Sequence, residues 1–519
     1  MSFLNSSSPS ADQLGQALPP LTNPDPNSNL PPTNPNHQEM RKWFATLGIG
    51  IGVFIFALDV YIVNLALPVM VTVLETNFAV IQWVVLSYLL AIAIFVLTIA
   101  KLGDLFSKKQ LYIGGLLLFT LSSLLCGLAP HVGWLIAGRF LQGIGAAFLS
   151  GLGTAILVEV FPKEQRGLGL GIRAAVYGFG ITAGPTVGGF LLALGGWQLI
   201  FFINVPIGIL GCLIVAWLVP PSRLNATSTK FDVIGTVVLT LTLTCFTLAM
   251  TLWQQQSQDL LDLPTATVPS LLVASFIGLI SFMATQIVVP HAMLDLQMFR
   301  SLPFTLGLVL RFIGNFVIAG VLLVLPFFLE VGQKYTAEKA GLLLAISPLV
   351  IVLTAPVAGI LADRFGAGFV SLIGLALMTL GCGLMACFTI ASTPVEFMVA
   401  VIPYGLGVGM FQSPNNSVIM GAVAAHRLGL ASGLLSLARI LGQTVGVPLV
   451  AALLANMTLH SGANVPQDIV NAAPGALLVG VRWSFAAVAV LLGLTTLVAT
   501  PITWWYHQQS HHQGPNQAP

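Results

Sequence analysis

Charge is what this chain most conspicuously lacks. Of 519 residues, 19 are Lys or Arg and 17 are Asp or Glu, so 7 % are charged against about 25 % in a typical soluble domain. Hydrophobic residues make up 56 %. A soluble surface of the required area cannot be made from so few polar groups. That excludes a soluble enzyme, a nucleic-acid binder and a disordered scaffold, and leaves a polytopic membrane protein. Cysteine is scarce as well. Cys126, Cys212, Cys245, Cys382 and Cys387 are odd in number, have no metal spacing and fall in apolar stretches, so they read as small buried hydrophobes with no disulfide framework and no metal site. The net charge of +2 is uninformative; the positions of the charges are not.

Apolar runs are abundant. A bilayer crossing needs about 20 residues at 1.5 Å each. Fourteen runs qualify, near 43–69, 80–102, 111–129, 133–159, 168–194, 199–220, 232–253, 268–290, 303–329, 337–362, 368–390, 395–419, 428–456 and 482–505. The nine tryptophans fall near span ends, as an interfacial belt requires. The flanks differ in kind. Residues 1–42 are dominated by Pro, Asn and Ser and read as a disordered cytoplasmic tail; 507–519 read as a polar cytoplasmic tail whose His507, His511 and His512 are solvated.

With the N-terminus inside, cytoplasmic segments carry thirteen Lys or Arg, among them Lys101, Lys108, Lys109, Arg166, Arg173 and Arg364. Outer loops carry Lys334, Lys339 and Arg482. This positive-inside bias predicts a multi-pass plasma (inner) membrane protein with both termini cytoplasmic.

The chain also repeats itself. Asp104 returns as Asp363 at an offset of 259, Gly143 and Gly145 as Gly405 and Gly407 at 262, Gly180 and Gly184 as Gly442 and Gly446 at 262, and Pro68 as Pro326 at 258. A near-constant offset implies duplication. The expected architecture is all-α membrane: two pseudo-symmetric six-helix bundles, at 43–220 and 303–506, joined by a linker at 221–302 that adds two transmembrane helices.

Four motifs carry chemistry. Span one holds Leu58-Asp59-Val60-Tyr61-Ile62-Val63-Asn64, with Asp59 the only acid near mid-span; burial disfavours a carboxylate's charge, so it is a candidate proton carrier or one half of a structural ion pair. Span four holds Arg139-Phe140-Leu141-Gln142-Gly143-Ile144-Gly145, an arginine that is costly in lipid beside glycines that admit a close neighbour. Span five holds Gly180, Gly184, Pro185, Gly188 and Gly189, a close-packing stripe and candidate hinge. Asp104 with Lys108 and Lys109, echoed by Asp363 with Arg364, reads as a gate of weak ion pairs or as a topogenic loop. Arg311 and Arg439 are embedded in spans nine and thirteen, where Asn315, Asn415, backbone carbonyls or substrate are the available partners.

These motifs resemble the fourteen-spanner drug:proton antiporter branch of the major facilitator superfamily. The resemblance covers about 43–505 and is most specific in the span-four RxxQGxGAA and span-five GPxxGG patterns; the LDxxxVNxALP stretch and Phe161, Pro162, Arg166 and Gly167 agree. The family loop G-x-L-x-D-R-x-G-R-K is changed here, with Ala100, Leu105 and Ser107 at family positions. Tyr61 stands where many members have Thr. The resemblance implies proton coupling through Asp59, tuning by Arg139, and an exporter by the Gly184-Pro185 helix. It also implies multidrug-type efflux of amphipathic small molecules by alternating access, with Tyr61, Asn64, Gln142, Arg311, Asn315, Asn415 and Arg439 as cavity candidates. Alternatives are export of an anionic or zwitterionic metabolite such as a siderophore, or a uniporter or importer on the same fold. Implied partners are the small-molecule substrate, protons and the lipid bilayer, with no nucleic acid; a periplasmic adaptor is compatible with a double-membrane host. No cofactor is implied, and no Walker loop or catalytic constellation argues for an enzyme.

Overall fold

The computed structural model describes residues 35–161, 166–219, 232–256, 266–288, 296–423, 428–461 and 472–512, with 264 and 469. Every long element among them is a helix. In hydrocarbon each backbone N–H and C=O must bond within its own segment, and an apolar helix does this. Thirteen helical stretches are long and apolar enough to cross a membrane. The run expected at 232–253 is the helix Val233–Gln256, whose apolar core Ile234–Met250 is shorter than the rest. A fourteenth crossing therefore rests on this helix alone.

The N-terminal bundle comprises α1 (Pro35–Val73), α2 (Phe78–Ile81), α3 (Trp83–Leu105), α4 (Lys108–Gly127), α5 (Val132–Val160), α6 (Arg166–Gly195), α7 (Leu199–Phe202) and α8 (Asn204–Leu218). The linker pair is α9 (Val233–Gln256) and α10 (Thr267–Val288). The C-terminal bundle comprises α11 (Leu302–Phe327), α12 (Ala337–Leu344), α13 (Ile346–Phe365), α14 (Ala367–Met385), α15 (Pro394–Gly421), α16 (Leu428–Leu459) and α17 (Pro474–His512). α1 thus begins inside the segment expected as tail, and α17 continues to His512.

Two spans are broken by proline. The span near 199–220 divides at Ile203 and the span near 337–362 at Ala345. In each, a proline lies downstream, Pro206 or Pro348, and its missing N–H leaves the carbonyl of Phe202 or Leu344 without an i+4 donor. Between α13 and α14 a single residue makes the turn. Gly366 sits at φ 91°, a left-handed conformation that a side chain would oppose. α15 opens on a capping box, with Thr393 accepting from the Glu396 N–H and Glu396 accepting from the Thr393 N–H.

The duplication is visible in three dimensions. On α6, a Cβ at Gly180 or Gly184 would strike α1 at Phe54 O or Tyr61; on α16, one at Gly442 or Gly446 would strike α11 at Phe312 O or Phe316 O. Gly143 abuts α3 at Tyr88 O while Gly405 abuts α13 at Ser347 O, and Gly145 abuts α4 while Gly407 abuts α14. Each glycine pair packs on matching helices of its own bundle. α9 packs on α10 and reaches both α3 and α16, so the linker pair lies along the seam, outside the bundles.

Two expectations need correction. Trp197 lies at a span end as expected, but it is buried in the turn before α7, edge-on to Phe201, and is not exposed to surrounding lipid. Trp43, Trp134, Trp217, Trp253 and Trp483 are exposed, as the belt requires. Cys387 is not buried. It is exposed in the turn after α14, and Cys245 is half-buried, whereas Cys126, Cys212 and Cys382 are buried.

Candidate functional site

A fully buried polar cluster lies inside the N-terminal bundle. Arg139 on α5 donates from Nη1 to Asp59 Oδ2 on α1 at 2.6 Å and to Gln142 Oε1 at 2.6 Å. Its Nε donates to the Val84 carbonyl on α3 at 2.9 Å, and its guanidinium lies 4.1 Å from the Tyr88 ring centroid. Gln142 Nε2 donates to Asp59 Oδ1 at 2.9 Å and to Ser123 Oγ on α4 at 2.6 Å. Asn204 Nδ2, at the start of α8, donates to Asp59 Oδ1 at 3.2 Å and Ser123 Oγ at 3.3 Å. Asp59 is 0 % exposed and Arg139 1 %.

Five helices converge here for local reasons. Arg139 and Gln142 are three apart and share one face of α5. Gly143, on the next position, brings α3 close enough for Val84 and Tyr88 to reach the guanidinium. A buried ion pair holds only when its remaining donors and acceptors are filled, and here both carboxylate oxygens have partners. Sequence reading found Asp59, Arg139 and Gln142 but not Ser123, Asn204 or Tyr88. The one available signal was Asn204, a polar residue between apolar runs. Replacing Asn204 with Ala removes one donor to a buried carboxylate; thermal unfolding in detergent should register a loss of about 1–2 kcal/mol.

The C-terminal bundle does not duplicate this cluster. At the repeat offsets, Asp59 corresponds to Val317, Arg139 to Val401, Gln142 to Tyr404 and Ser123 to Cys382, all buried. Charged chemistry there is placed elsewhere. Arg311 is 5 % exposed and donates to Gln412 Oε1 at 3.3 Å. Asn315 and Asn415 are committed to the carbonyls of Arg311 and Gly307, and Asn64 in α1 to that of Val60. Gln142 belongs to the ion-pair cluster. Arg439 on α16 is half-buried.

Between the bundles, Tyr61, Leu65 and Pro185 face Leu325, Ser347 and Tyr404 across an apolar pocket of about 490 Å³, including space open to solvent. The pocket is closed at the end bearing turns 74–77 and 328–336. Phe78 meets Phe327 edge-on at 4.8 Å, and Pro185 and Gly189 of α6 lie against α12 at Gly341 and Ala337. The glycine stripe therefore has two faces: Gly180, Gly184 and Gly188 toward α1, and Gly189 with Pro185 toward the opposite bundle.

The expected gate residues sit at the other end. Lys108 pairs with Glu159 at 3.3 Å, and Lys109 donates to the Ala216 carbonyl at 2.7 Å. The Asp104 side chain lies outside the described residues. Asp363 and Arg364 are exposed at the end of α13, with no ion-pair partner among the described residues.

A family model described as Major Facilitator Superfamily matches residues 49–333 and again 304–519. The chain belongs to the Major Facilitator Superfamily. The second match begins where the second bundle does. As a superfamily member it is a membrane transporter of small molecules. It is 33 % identical over 407 residues to the riboflavin transporter RibZ of Clostridioides difficile, covering 78 % of this chain and 87 % of that one. It is 32 % identical over 418 residues to the multidrug resistance protein Stp of Mycobacterium tuberculosis, covering 79 % and 75 %. Its fold is similar to that of a bacterial homologue of the human lysosomal transporter Spinster in an inward-facing, unoccupied conformation. The TM-score is 0.63 at 16 % identity, over 91 % of this chain and 98 % of that one.

Proposed function

We propose that this superfamily member exports amphipathic small molecules in exchange for protons by alternating access. The observation that carries the reading is the position of Asp59. It is the acid held by Arg139, and it lies on the same helix as Tyr61, two residues away, which lines the inter-bundle pocket. A proton on Asp59 would dissolve the ion pair, free Arg139 and alter how α1 packs on α5, so protonation and pocket shape are linked through one helix. In this scheme a proton from outside neutralises Asp59 and releases substrate outward; its loss to the cytoplasm restores the ion pair. Each proton contributes about 2.3 kcal/mol per 100 mV of membrane potential, plus any pH gradient. Gly180, Gly184, Pro185, Gly188 and Gly189 form the hinge; Asp104, Lys108, Lys109, Asp363 and Arg364 form the cytoplasmic gate. The multidrug resistance named for Stp supports efflux as the direction.

The test is efflux from proteoliposomes under an imposed pH gradient. Asp59→Asn should abolish the gradient-driven component while substrate binding persists. Gradient-driven efflux at the wild-type rate in Asp59→Asn would refute the coupling.

A further inference from the structure

Arg311 and Arg173 each lie within electrostatic reach of a third arginine, Arg439, and the coupling scheme uses none of them. Arg439 on α16 stands at the repeat position of Tyr177 on α6, so the two are mates across the pseudo-twofold. α11 packs closely on α16, where Gly442, three residues beyond Arg439, abuts the carbonyl of Phe312, the residue after Arg311. Arg439 lies within electrostatic reach of Arg311, Arg173 and Tyr61. Arg173, counted in the sequence with cytoplasmic charges, is inside α6 and its Nε has no hydrogen-bond partner. The Nε of Arg311 is likewise buried and unpartnered, and its bond to Gln412 is long for an N–H···O contact. Arg439 has no hydrogen-bond or ion-pair partner among the described residues.

No described carboxylate balances them. Asp59 is held by Arg139 and Glu159 by Lys108, Asp232 at the start of α9 accepts from the Gly235 N–H and the Gln286 amide, Asp363 is exposed at the tip of α13, and Glu75, Glu330, Glu338 and Glu396 lie at the closed end. Like charges gathered in a medium of low dielectric repel strongly, and unfilled guanidinium donors add a desolvation cost. An incoming anion removes both. Guanidinium groups suit a carboxylate because their N–H donors pair with its two oxygens. Tyr61 bridges the regions, lying in reach of Arg439 while lining the apolar pocket.

We propose that Arg311 and Arg439, with Arg173 adding to the field, form an anion-binding subsite. The transported molecule is then an amphiphile carrying a carboxylate, its acid group on the arginines and its apolar body toward Tyr61 and the pocket. The proposal rests on reading the inter-bundle space as the substrate route, but not on proton coupling.

The test is equilibrium binding to the purified full-length protein in detergent, with three probes that share one ring: 2-naphthoate, the neutral 2-naphthamide and the cationic 2-naphthylmethylamine. Naphthoate should bind at least about tenfold more tightly than the amide, the scale of one charge-assisted contact. Arg439→Gln and Arg311→Gln should each erase that preference, Arg439→Lys should keep part of it, and Arg482→Gln at the far end should keep all of it. Because Arg439 is half-buried, Arg439→Gln remains informative if Arg311→Gln does not fold. Equal or tighter binding of the amide or the amine would overturn the proposal. So would stabilisation by phosphatidylglycerol with none by naphthoate, which would assign the arginines to a lipid headgroup. Asp59→Asn should retain the naphthoate preference. Failure of coupling and failure of this subsite therefore give different results.

Discussion

Arg139→Leu should be the most damaging single substitution in the N-terminal bundle. It leaves Asp59 fully buried with Gln142 and Asn204 as its remaining donors, 2.9 and 3.2 Å away. Removing one partner of a buried ion pair costs about 3–5 kcal/mol, mostly the price of the stranded charge. Thermal unfolding in detergent should show that loss. Asp59→Asn alone should cost less. Arg139 then keeps the Val84 carbonyl, the Gln142 amide oxygen and the Tyr88 ring. The double variant, Arg139→Leu with Asp59→Asn, should regain most of the lost stability while remaining uncoupled. If Arg139→Leu unfolds at the wild-type temperature at neutral pH, the ion pair is not what holds α1 to α5.

The sequence made this pair legible because charge in an apolar span is rare. A single mid-span acid and an arginine in span four stand out against a chain with 7 % charged residues. What filled the rest of the coordination was not legible. Ser123 and Asn204 come from helices far away in sequence, and a serine in an apolar run is ordinary in a membrane helix. The same limit applied to Asn64, Asn315 and Asn415. Their types suggested a cavity lining, but each amide closes on a nearby carbonyl, a contact set by helix geometry and packing. Thirteen of the fourteen expected spans, and the duplication, were readable from hydropathy and offsets. The breaks at Ile203 and Ala345 were not placed, although each precedes a proline that explains it. Arg173 already fell within the expected run 168–194, but its surroundings were hidden, because positive charge near a span end reads as topology until packing shows what it faces.

Gly341→Val should open the end of the molecule that the structure shows closed. A Cβ at Gly341 would press on the Pro185 carbonyl and come within 3.2 Å of the Gly189 Cα, so the obstacles are backbone and cannot swing aside. Valine adds two methyl groups to that contact. Overpacking costs about 1–3 kcal/mol, and α12 of one bundle can relieve it by moving away from α6 of the other. The cost falls on the conformation in which these helices touch and not on one in which they part, so the equilibrium between them should shift by about five- to hundredfold. The reporter is Leu322→Cys, in the pocket wall, in a background where the exposed Cys387 has been replaced by serine. A membrane-impermeant maleimide applied from the side of turn 328–336 should label it faster when Gly341→Val is present. Asp59→Asn in the same background tests whether the two devices communicate: if protonation of Asp59 drives the opening of this end, the asparagine should raise labelling by itself, with Gly341 intact. Unchanged labelling in Gly341→Val alongside a lowered unfolding temperature would mean that the contact of α6 with α12 is static packing. The Pro185–Gly189 segment would then have no part in alternating access.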